Sequence, residues 1–479
     1  MMEEKEMVGL RISGQVEKVN GKEISYAEFA EKYMKKNQPV VLTGLMDDWR
    51  ACKDWVSPDA TPNLSFFLST PFASSRVQVA DCATKEFSDQ KRIDMSVSEF
   101  INEWPGRTQK ECQSELKPLL YLKDWHFVKE YPEYSAYRTP LFFCDDWLNM
   151  YLDKYPMQNG PDTHHQGTNE ITCSDYRFVY IGTKGTWTPL HADVFRSYSW
   201  SANVCGRKQW YFLSPSQSHL IFDRNMKNSV YSIFEDVDAK RFPFLQQATW
   251  LECTQEQNEI IFVPSGWYHQ VHNLVDTISI NHNWFNGYNL PYVWDLLLRD
   301  YKEATEYIED IKDICDDFEG LCQRNLAANT GMNFCDFFIF LVRISFANLV
   351  QLLNLSSSSE STNWKSSYRA QNIMFNLESV RDIALKMKFA GVEANYDFGI
   401  GFRTLLDDFI FLELCKSLGS TYEMIHEQGK VSYNLEQGGD VKFLKFFESA
   451  SSQTCSPEDL ASLIDDVCAK ISVAGPALL

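Results

Sequence analysis

The sequence lacks the cysteine spacing of a zinc ribbon or of a thioredoxin-like redox site. It contains 13 cysteines, and no two of them form a C-x-x-C pair. An odd number of scattered cysteines is typical of a reducing compartment and does not suggest a disulfide framework. We therefore expect a cytoplasmic protein with free thiols.

Positive charge is also scarce. The chain has 45 lysine and arginine residues against 65 aspartate and glutamate residues, which gives a formal net charge of −20. Because binding to nucleic-acid phosphates needs a basic face, this balance argues against a direct nucleic-acid partner. A basic protein or peptide is the partner that the charge favours.

The chain has no long uninterrupted apolar run. The N-terminus, MMEEKEMVGL, has no apolar region of the kind that a signal peptide needs. The most apolar stretch, residues 337–350, is interrupted by Arg343. Since a membrane span needs about 20 apolar residues, we expect a buried helix there and no membrane association.

Three kinds of pattern follow one another along the 479 residues. Residues 1–140 combine a helical pattern with a short apolar run and predict an α/β region that precedes and buttresses the next part. Residues 141–290 contain short β-rich segments between turn residues, which predict an antiparallel sandwich or barrel. Residues 291–479 return to helical spacing, with a Ser-rich linker or loop near 356–363. The prediction is a mostly β core with α flanks.

The nine histidines include two at positions that suggest a metal site. His191 and Asp193 are two residues apart, so on an extended segment their side chains point to the same side. The pair alone is a weak signal, because H-x-D also occurs by chance. His269, which follows a P-S-G turn, adds a third ligand. Two histidines and one carboxylate are the facial triad of non-haem Fe(II) oxygenases.

The other histidines are predicted to lie outside this site. His272 is three residues beyond His269 and therefore points to the opposite face of the strand. His282 has the same difficulty, and the adjacent His164 and His165 lie in a polar stretch that reads as a loop. The remaining three have no companion ligands and are interpreted as structural: His126, His219 and His426.

Lys208 begins a segment that reads as a buried strand. A lysine at such a position costs free energy unless it meets an anion, although it can also extend its ammonium to solvent at the strand end. A small dicarboxylate that chelates the metal would provide the anion. Thr188, three residues before His191, is placed to donate its hydroxyl to the same carboxylate.

Four segments resemble the JmjC-domain 2-oxoglutarate oxygenases, and in particular their small hydroxylase branch. They occur in the order TPLHAD, GRKQWYFLSP, FVPSGWYHQV and SINHNWFN, and the earlier KNQPVVLTGLMDDW resembles the stretch that begins many of these hydroxylases. The resemblance runs from about residue 26 to residue 288. It implies a double-stranded β-helix of the cupin or jelly-roll type, with an N-terminal α/β region and a C-terminal helical region.

The resemblance also implies a role for each matching residue. The Fe(II) ligands match His191, Asp193 and His269. The residues that bind the far carboxylate of 2-oxoglutarate match Lys208, Thr188 and, in PLLYLKDW, Tyr121. Some relatives carry an asparagine seven residues before the lysine, where this chain has Ser201; Asn203 and Asn281 are alternative replacements. O2 is the second co-substrate that the resemblance implies.

The implied activity is Fe(II)- and 2-oxoglutarate-dependent hydroxylation of a lysine side-chain carbon in a translation termination (release) factor, with succinate and CO2 as co-products. An N-methyl-lysine demethylase is the main alternative, although the chain shows no PHD-like or Tudor-like Cys/His module and no basic localisation run. A non-catalytic binding module is disfavoured by the complete ligand set. A zinc hydrolase would have three protein ligands plus water, but no general-base glutamate lies near them in sequence. The C-terminal helices either pack on the barrel or mediate homo-oligomerisation or substrate docking.

Overall fold

The computed structural model describes residues 10–105, 118–155, 175–235, 237–358, 364–391, 400–426 and 454–473. The chain forms two compact units. The first unit comprises Met1–Pro140 with Tyr176–Asn283, and the second comprises Leu141–Asp175 with Trp284–Leu479. The division into three domains at residues 140 and 290 stays a prediction.

In the described part of the first unit, fourteen strands form two β-sheets. The strands are β1 Arg11–Gln15, β2 Glu17–Asn20, β3 Val40–Thr43, β4 Arg76–Glu86, β5 Asp89–Ser96, β6 Leu120–Trp125, β7 Arg177–Gly182, β8 Trp187–His191, β9 Tyr198–Cys205, β10 Lys208–Leu213, β11 Thr249–Gln255, β12 Ile260–Val263, β13 Tyr268–Asn273 and β14 Thr277–Trp284. One sheet has the order β1-β11-β10-β13-β8, and the other has the order β2-β3-β12-β9-β14-β7-β6-β4-β5. This mixed two-sheet core confirms the predicted jelly-roll fold.

An apolar core lies between the two sheets. Trp210 and Phe212 of β10 contribute to it from the first sheet, and Val41 and Ile261 contribute from the second. All four are at most 3% exposed. Burial of apolar surface of this kind is the main driving force for packing one sheet on another.

The helices described in the first unit have four to six residues, whereas most of those described in the second unit have 13 to 25. They are α1 Tyr26–Phe29, α2 Ala51–Asp54, α3 Leu64–Phe67, α4 Val97–Asn102, α5 Phe127–Glu130, α6 Trp147–Leu152, α7 Leu290–Tyr307, α8 Phe318–Thr330, α9 Phe334–Ser358, α10 Tyr368–Phe389, α11 Phe402–Leu406, α12 Phe409–His426 and α13 Pro457–Val473. Ser25 and Glu28 form the capping box that begins α1.

The second unit is helical, and α9 is at its centre. Helix α9 packs against α10, α12 and α13. The hydroxyl of Tyr422 donates to Asn348 at 2.7 Å and accepts from Asn376 at 2.8 Å, which satisfies three buried polar groups from three helices. The helical flank expected after the barrel is therefore present.

Helix α9 contains the apolar stretch seen in the sequence. Residues Phe334–Ser356 are long and apolar enough to cross a membrane by length and composition alone, but 78% of the most apolar window is buried inside the protein. A core helix passes the same test. The helix also continues to Ser358, so residues 356–358 of the predicted Ser-rich loop are helical. Ser356 donates its hydroxyl to the Leu353 carbonyl at 2.8 Å, which lets a serine remain within a helix. Residues 359–363 lie outside the described residues.

Candidate active site

Two neighbouring strands bring the three predicted metal ligands together. His191 ends β8 and is paired with His269 of β13, so both imidazoles lie on one face of the sheet. Asp193 follows two residues later. One ligand atom from each of the three side chains lies within 4.8 Å of the others. Among the residues that the structure describes, this is the one group of His, Cys, Asp and Glu side chains with such an arrangement.

Backbone carbonyls orient both imidazoles. Nδ1 of His191 is 2.8 Å from the Pro189 carbonyl oxygen, and Nδ1 of His269 is 3.1 Å from the Trp267 carbonyl oxygen. Because a carbonyl oxygen only accepts, each Nδ1 must carry the hydrogen and donate it. The lone pair of each Nε2 is then free for a metal ion, which is the tautomer that a histidine ligand requires.

The protonation state of His191 also suits a ligand. Burial, followed by the neighbouring His269, lowers the pKa of His191 to about 4. The neutral imidazole is therefore the form present at neutral pH, and only that form binds a metal.

Ser199 holds the carboxylate of the triad. Its hydroxyl donates to Oδ2 of Asp193 at 2.7 Å, which leaves Oδ1 for a metal ion. Hydrogen bonds of this kind fix the orientation of a metal ligand and are worth about 10- to 100-fold in metal affinity. Sequence reasoning missed Ser199; its position six residues after Asp193, at the start of an inward-facing strand, was the available signal.

Lys208 is buried without an acidic partner. It is 2% exposed, and its ammonium donates to Ser279 Oγ at 2.7 Å and to Tyr121 Oη at 3.2 Å. In the described part of the chain no carboxylate bonds to it. Burial, and next the charge of Lys123, lowers the pKa of Lys208 to about 7. A bound carboxylate would offset this cost, so the position fits an anion.

Strand register places Lys208 on the same side as the metal ligands. Lys208 of β10 pairs with Asn273 of β13, and Phe212 pairs with His269. Residues two and four apart on a strand share a face, so the ammonium and the imidazole of His269 face one space. Ser279 was not foreseen from the sequence, because its contact with Lys208 joins strands of different sheets.

A β-bulge turns Thr188 toward this face. Three residues separate Thr188 from His191, and a regular strand would place the two on opposite faces. The register shifts between His269 and Val271, however, so that Val271 pairs with Thr188 while His269 pairs with His191. Since directly paired residues point to the same side, Thr188 shares the face of the metal ligands. Its hydroxyl makes no hydrogen bond to any other described residue.

Tyr121 lies deep in the same region. It is 3% exposed on β6, and burial raises the pKa of its hydroxyl. The phenol therefore remains protonated and keeps a hydrogen to donate while it accepts from Lys208. The structure thus assembles all six residues selected from the sequence on the facing strands of one unit. Their roles in binding stay predictions.

The structure distinguishes between the two asparagines left open by the sequence. Asn203 lies near the end of β9 and donates to the carbonyl of Gly206, in the turn that follows, at 2.7 Å. Ser201 donates its hydroxyl to Oδ1 of Asn281 at 3.0 Å. The amide nitrogen of the half-buried Asn281 has no acceptor among the described residues. Asn281 is therefore the better candidate to replace the asparagine found in relatives.

Two of the other histidines, His272 and His282, lie away from the triad. The ring of His272 stacks on Trp187 on the opposite face of β13, with centroids 5.6 Å apart and an interplanar angle of 3°. His282 contacts Trp200 and is 3% exposed, and burial lowers the pKa of both His272 and His282. His164 and His165 lie outside the described residues.

These residues fit a divalent metal and a dicarboxylate. Three side-chain ligands with Nε2 and Oδ1 free suit an octahedral ion that keeps open positions. The buried ammonium of Lys208 suits the far carboxylate of a keto acid. When bound, Fe(II) and 2-oxoglutarate supply the oxidising chemistry, in which 2-oxoglutarate loses CO2 to give succinate and O2 provides an oxygen atom for the substrate. The residues of the chain bind and orient these groups.

Comparison with known proteins agrees with this chemistry. The profile of the family described as Cupin-like domain matches residues 26–289. The chain is 54% identical over 458 residues to arginine-specific demethylase JMJ20 of Arabidopsis thaliana, covering 96% of this chain and 97% of that protein. It is 40% identical over 339 residues to the 2-oxoglutarate and iron-dependent oxygenase JMJD4 of Danio rerio, covering 70% and 76% of the two chains.

A human relative is also an oxygenase that depends on 2-oxoglutarate and iron. The 2-oxoglutarate and iron-dependent oxygenase JMJD4 of Homo sapiens is 37% identical over 332 residues, which covers 68% of this chain and 75% of that protein. The expected Fe(II), 2-oxoglutarate and O2 are thereby confirmed as cofactor and co-substrates. The chain belongs to the cupin-like JmjC family and is a 2-oxoglutarate- and iron-dependent oxygenase.

Proposed function

We propose that this oxygenase hydroxylates a side-chain carbon of a lysine in a translation release factor. The observation that carries the proposal is the likeness of the whole metal and co-substrate site to the small hydroxylase branch, in residues that the fold brings together. Hydroxylation inserts one oxygen atom into a C–H bond of the target and leaves a stable alcohol. We propose that the protein acts in the cytoplasm, where release factors meet the ribosome.

Access to the metal ligands supports a protein substrate. His269 is 3% exposed, whereas His191 and Asp193 are only partly buried. Val194, directly after Asp193, is 50% exposed. The triad is therefore reached from solvent on the side of Asp193, where a side chain on a polypeptide can approach. The net charge of −20 favours encounter with a basic segment.

Arginine N-demethylation is a second candidate, because JMJ20 is named an arginine-specific demethylase and is similar to this chain over nearly its whole length. The same oxygen insertion at an N-methyl carbon gives an N-hydroxymethyl group. That group breaks down to formaldehyde and the amine, so the peptide loses one methyl group. The two candidates use the same ligands and differ in the target and in the products.

Mass spectrometry separates the two candidates. A release-factor substrate and a peptide with dimethylated arginine are each incubated with the protein, Fe(II), ascorbate and 2-oxoglutarate. The proposal expects a lysine to gain one oxygen atom without formaldehyde. The H191A variant abolishes this gain, and H272A is the matched control, because His272 lies on the other face of β13.

Other outcomes contradict the proposal in different ways. Loss of a methyl group with formaldehyde release, and no change in the release factor, would favour the demethylase. Succinate formation without either product would leave the oxygenase assignment intact and refute both targets.

A further inference from the structure

A second buried lysine lies beside Tyr121 and Lys208, and the activity described so far does not use it. Lys123 of β6 is 5% exposed. Its ammonium is 5.8 Å from the centroid of the Tyr121 ring, and the ammonium of Lys208 is 5.9 Å from the same centroid. Two ammonium groups therefore lie beside one aromatic ring in the interior of the unit.

Strand alternation points Lys123 to the same side as Tyr121. The two are two residues apart, and β6 pairs with β4 in regular register from Leu120 to Lys123. The irregularity of β6 comes directly afterwards, where Asp124 has a φ of 59°, a left-handed conformation that costs free energy for a residue other than glycine. The side chain of Lys123 therefore faces the same space as the phenol of Tyr121.

Lys123 has no hydrogen-bond acceptor of its own among the described residues. The carboxylate of the adjacent residue, Asp124, is already engaged, because Arg92 donates to it at 3.0 Å and Tyr180 donates to it at 2.6 Å. Burying an ammonium without an acceptor is costly. The structure retains this cost at a position where an anion would offset it.

The position of Lys123 relative to the metal ligands and Lys208 indicates which anion it would contact. On β14, Ser279 bonds to Lys208, and two residues further along Asn281 bonds to Ser201, whose strand neighbour Ser199 holds Asp193, so β14 runs from Lys208 towards the metal ligands. Along the neighbouring strand β7, Gly182 is paired with Tyr121, and Tyr180 is paired with Ser279, which holds the ammonium of Lys208. Lys123 follows Tyr121 in the direction of Tyr180, so it lies beside the space between Lys208 and the metal ligands.

We propose that Lys123 is a second cationic residue of the co-substrate pocket and that it contacts the carboxylate at the keto-acid end of 2-oxoglutarate. Lys208 binds the carboxylate at the other end. With one ammonium for each carboxylate, the pocket neutralises both charges of the dianion without a contribution from solvent. The proposal rests on the oxygenase assignment and does not depend on which protein side chain is oxidised.

The test is binding of two keto acids to the protein loaded with Mn(II), measured by calorimetry without O2. The first is 2-oxoglutarate, and the second is 2-oxopentanoate, which has the keto-acid end but no far carboxylate. The K123M variant is expected to weaken both by a similar factor of roughly tenfold or more, the loss of one charge-assisted hydrogen bond. The K208M variant is expected to weaken 2-oxoglutarate alone. The difference between the two variants assigns each ammonium to one carboxylate.

Two control variants make the result specific. K123R keeps the positive charge and is expected to recover at least part of the affinity for both acids. K91M removes an exposed lysine from β5, which β4 separates from β6 in the same sheet, and is expected to bind both acids like the unmodified protein. Thermal unfolding of each Mn(II)-loaded variant checks that a loss of binding is not a loss of fold.

Three outcomes would overturn the proposal. Unchanged affinities in K123M would show that the ammonium contacts neither acid. A loss for 2-oxoglutarate alone would place it at the far carboxylate, and a change confined to the KM of the polypeptide would assign it to the other substrate. These outcomes leave the oxygenase assignment standing, whereas failure of the unmodified protein to bind 2-oxoglutarate would refute both.

Discussion

Replacing Lys208 with methionine is expected to separate co-substrate affinity from stability. Lys208 is 2% exposed, and in the described residues its ammonium bonds to two hydroxyls and no carboxylate. A charge-assisted hydrogen bond to 2-oxoglutarate contributes about 1.5–3 kcal/mol, so its loss lowers the affinity roughly 10- to 150-fold. Methionine fills a similar volume and removes a buried charge. The free energy of unfolding of the ligand-free protein should therefore be unchanged or higher.

Two measurements on the same variant check this reasoning. Calorimetric titration of the Mn(II)-loaded protein gives the Kd for 2-oxoglutarate, and chemical unfolding of the ligand-free protein gives the free energy of unfolding. The conservative K208R variant keeps the charge and tests whether loss of binding follows the charge or the shape of the side chain. An unchanged Kd in K208M, or a loss of more than about 2 kcal/mol in the free energy of unfolding, would refute the assignment.

Three further predictions concern the same site. In S199A, Asp193 loses its hydrogen bond from Ser199, so we expect metal titration to show an affinity for Mn(II) that is about 10- to 100-fold lower. An unchanged affinity would show that this hydrogen bond does not orient the ligand. In G182A, the new Cβ would lie 2.6 Å from Cδ2 of Tyr121, so we expect the KM for 2-oxoglutarate to rise; a normal KM would show that the ring can move without effect. Because burial lowers the pKa of Lys208 from 10.5 to about 7, the folded protein releases this proton earlier than the unfolded chain as the pH rises. The contribution of this group to the free energy of unfolding should therefore increase from pH 7 to 10.5, which unfolding at several pH values would show. The Kd for 2-oxoglutarate should increase above pH 7, because the neutral amine no longer pairs with the carboxylate, and titration at the same pH values would show this.

The metal ligands could be predicted because their geometry depends on local spacing. His191 and Asp193 are two residues apart on an extended segment, and His269 lies on a short strand after a turn. These relations survive any small change in how the sheets are arranged. The motifs around them also occur in a fixed order, so the resemblance identified the fold as well as the ligands.

The sequence could not reveal contacts that depend on register between distant strands. Thr188 was selected from the sequence, but it reaches the face of the metal ligands only through the bulge between β8 and β13, which no sequence pattern indicates. Ser279 bonds to Lys208 across two sheets, at a separation of 71 residues. Lys123 reads as an ordinary strand lysine until the packing of β6 shows that it is buried beside Tyr121. In each case the position of the side chain depends on pairing between strands that are distant in sequence, and local propensity does not determine that pairing.

The most direct test of the central claim is the visible charge-transfer absorption of the protein with Fe(II) and 2-oxoglutarate in the absence of O2. This band requires the keto acid to chelate an Fe(II) ion held at the site. We expect the band in the unmodified protein, its loss in H269A and its retention in H272A, since His272 is three residues from His269 and lies on the opposite face of β13. A band of normal intensity in H269A, or its absence from the unmodified protein, would contradict the assignment of His191, Asp193 and His269 as the metal ligands.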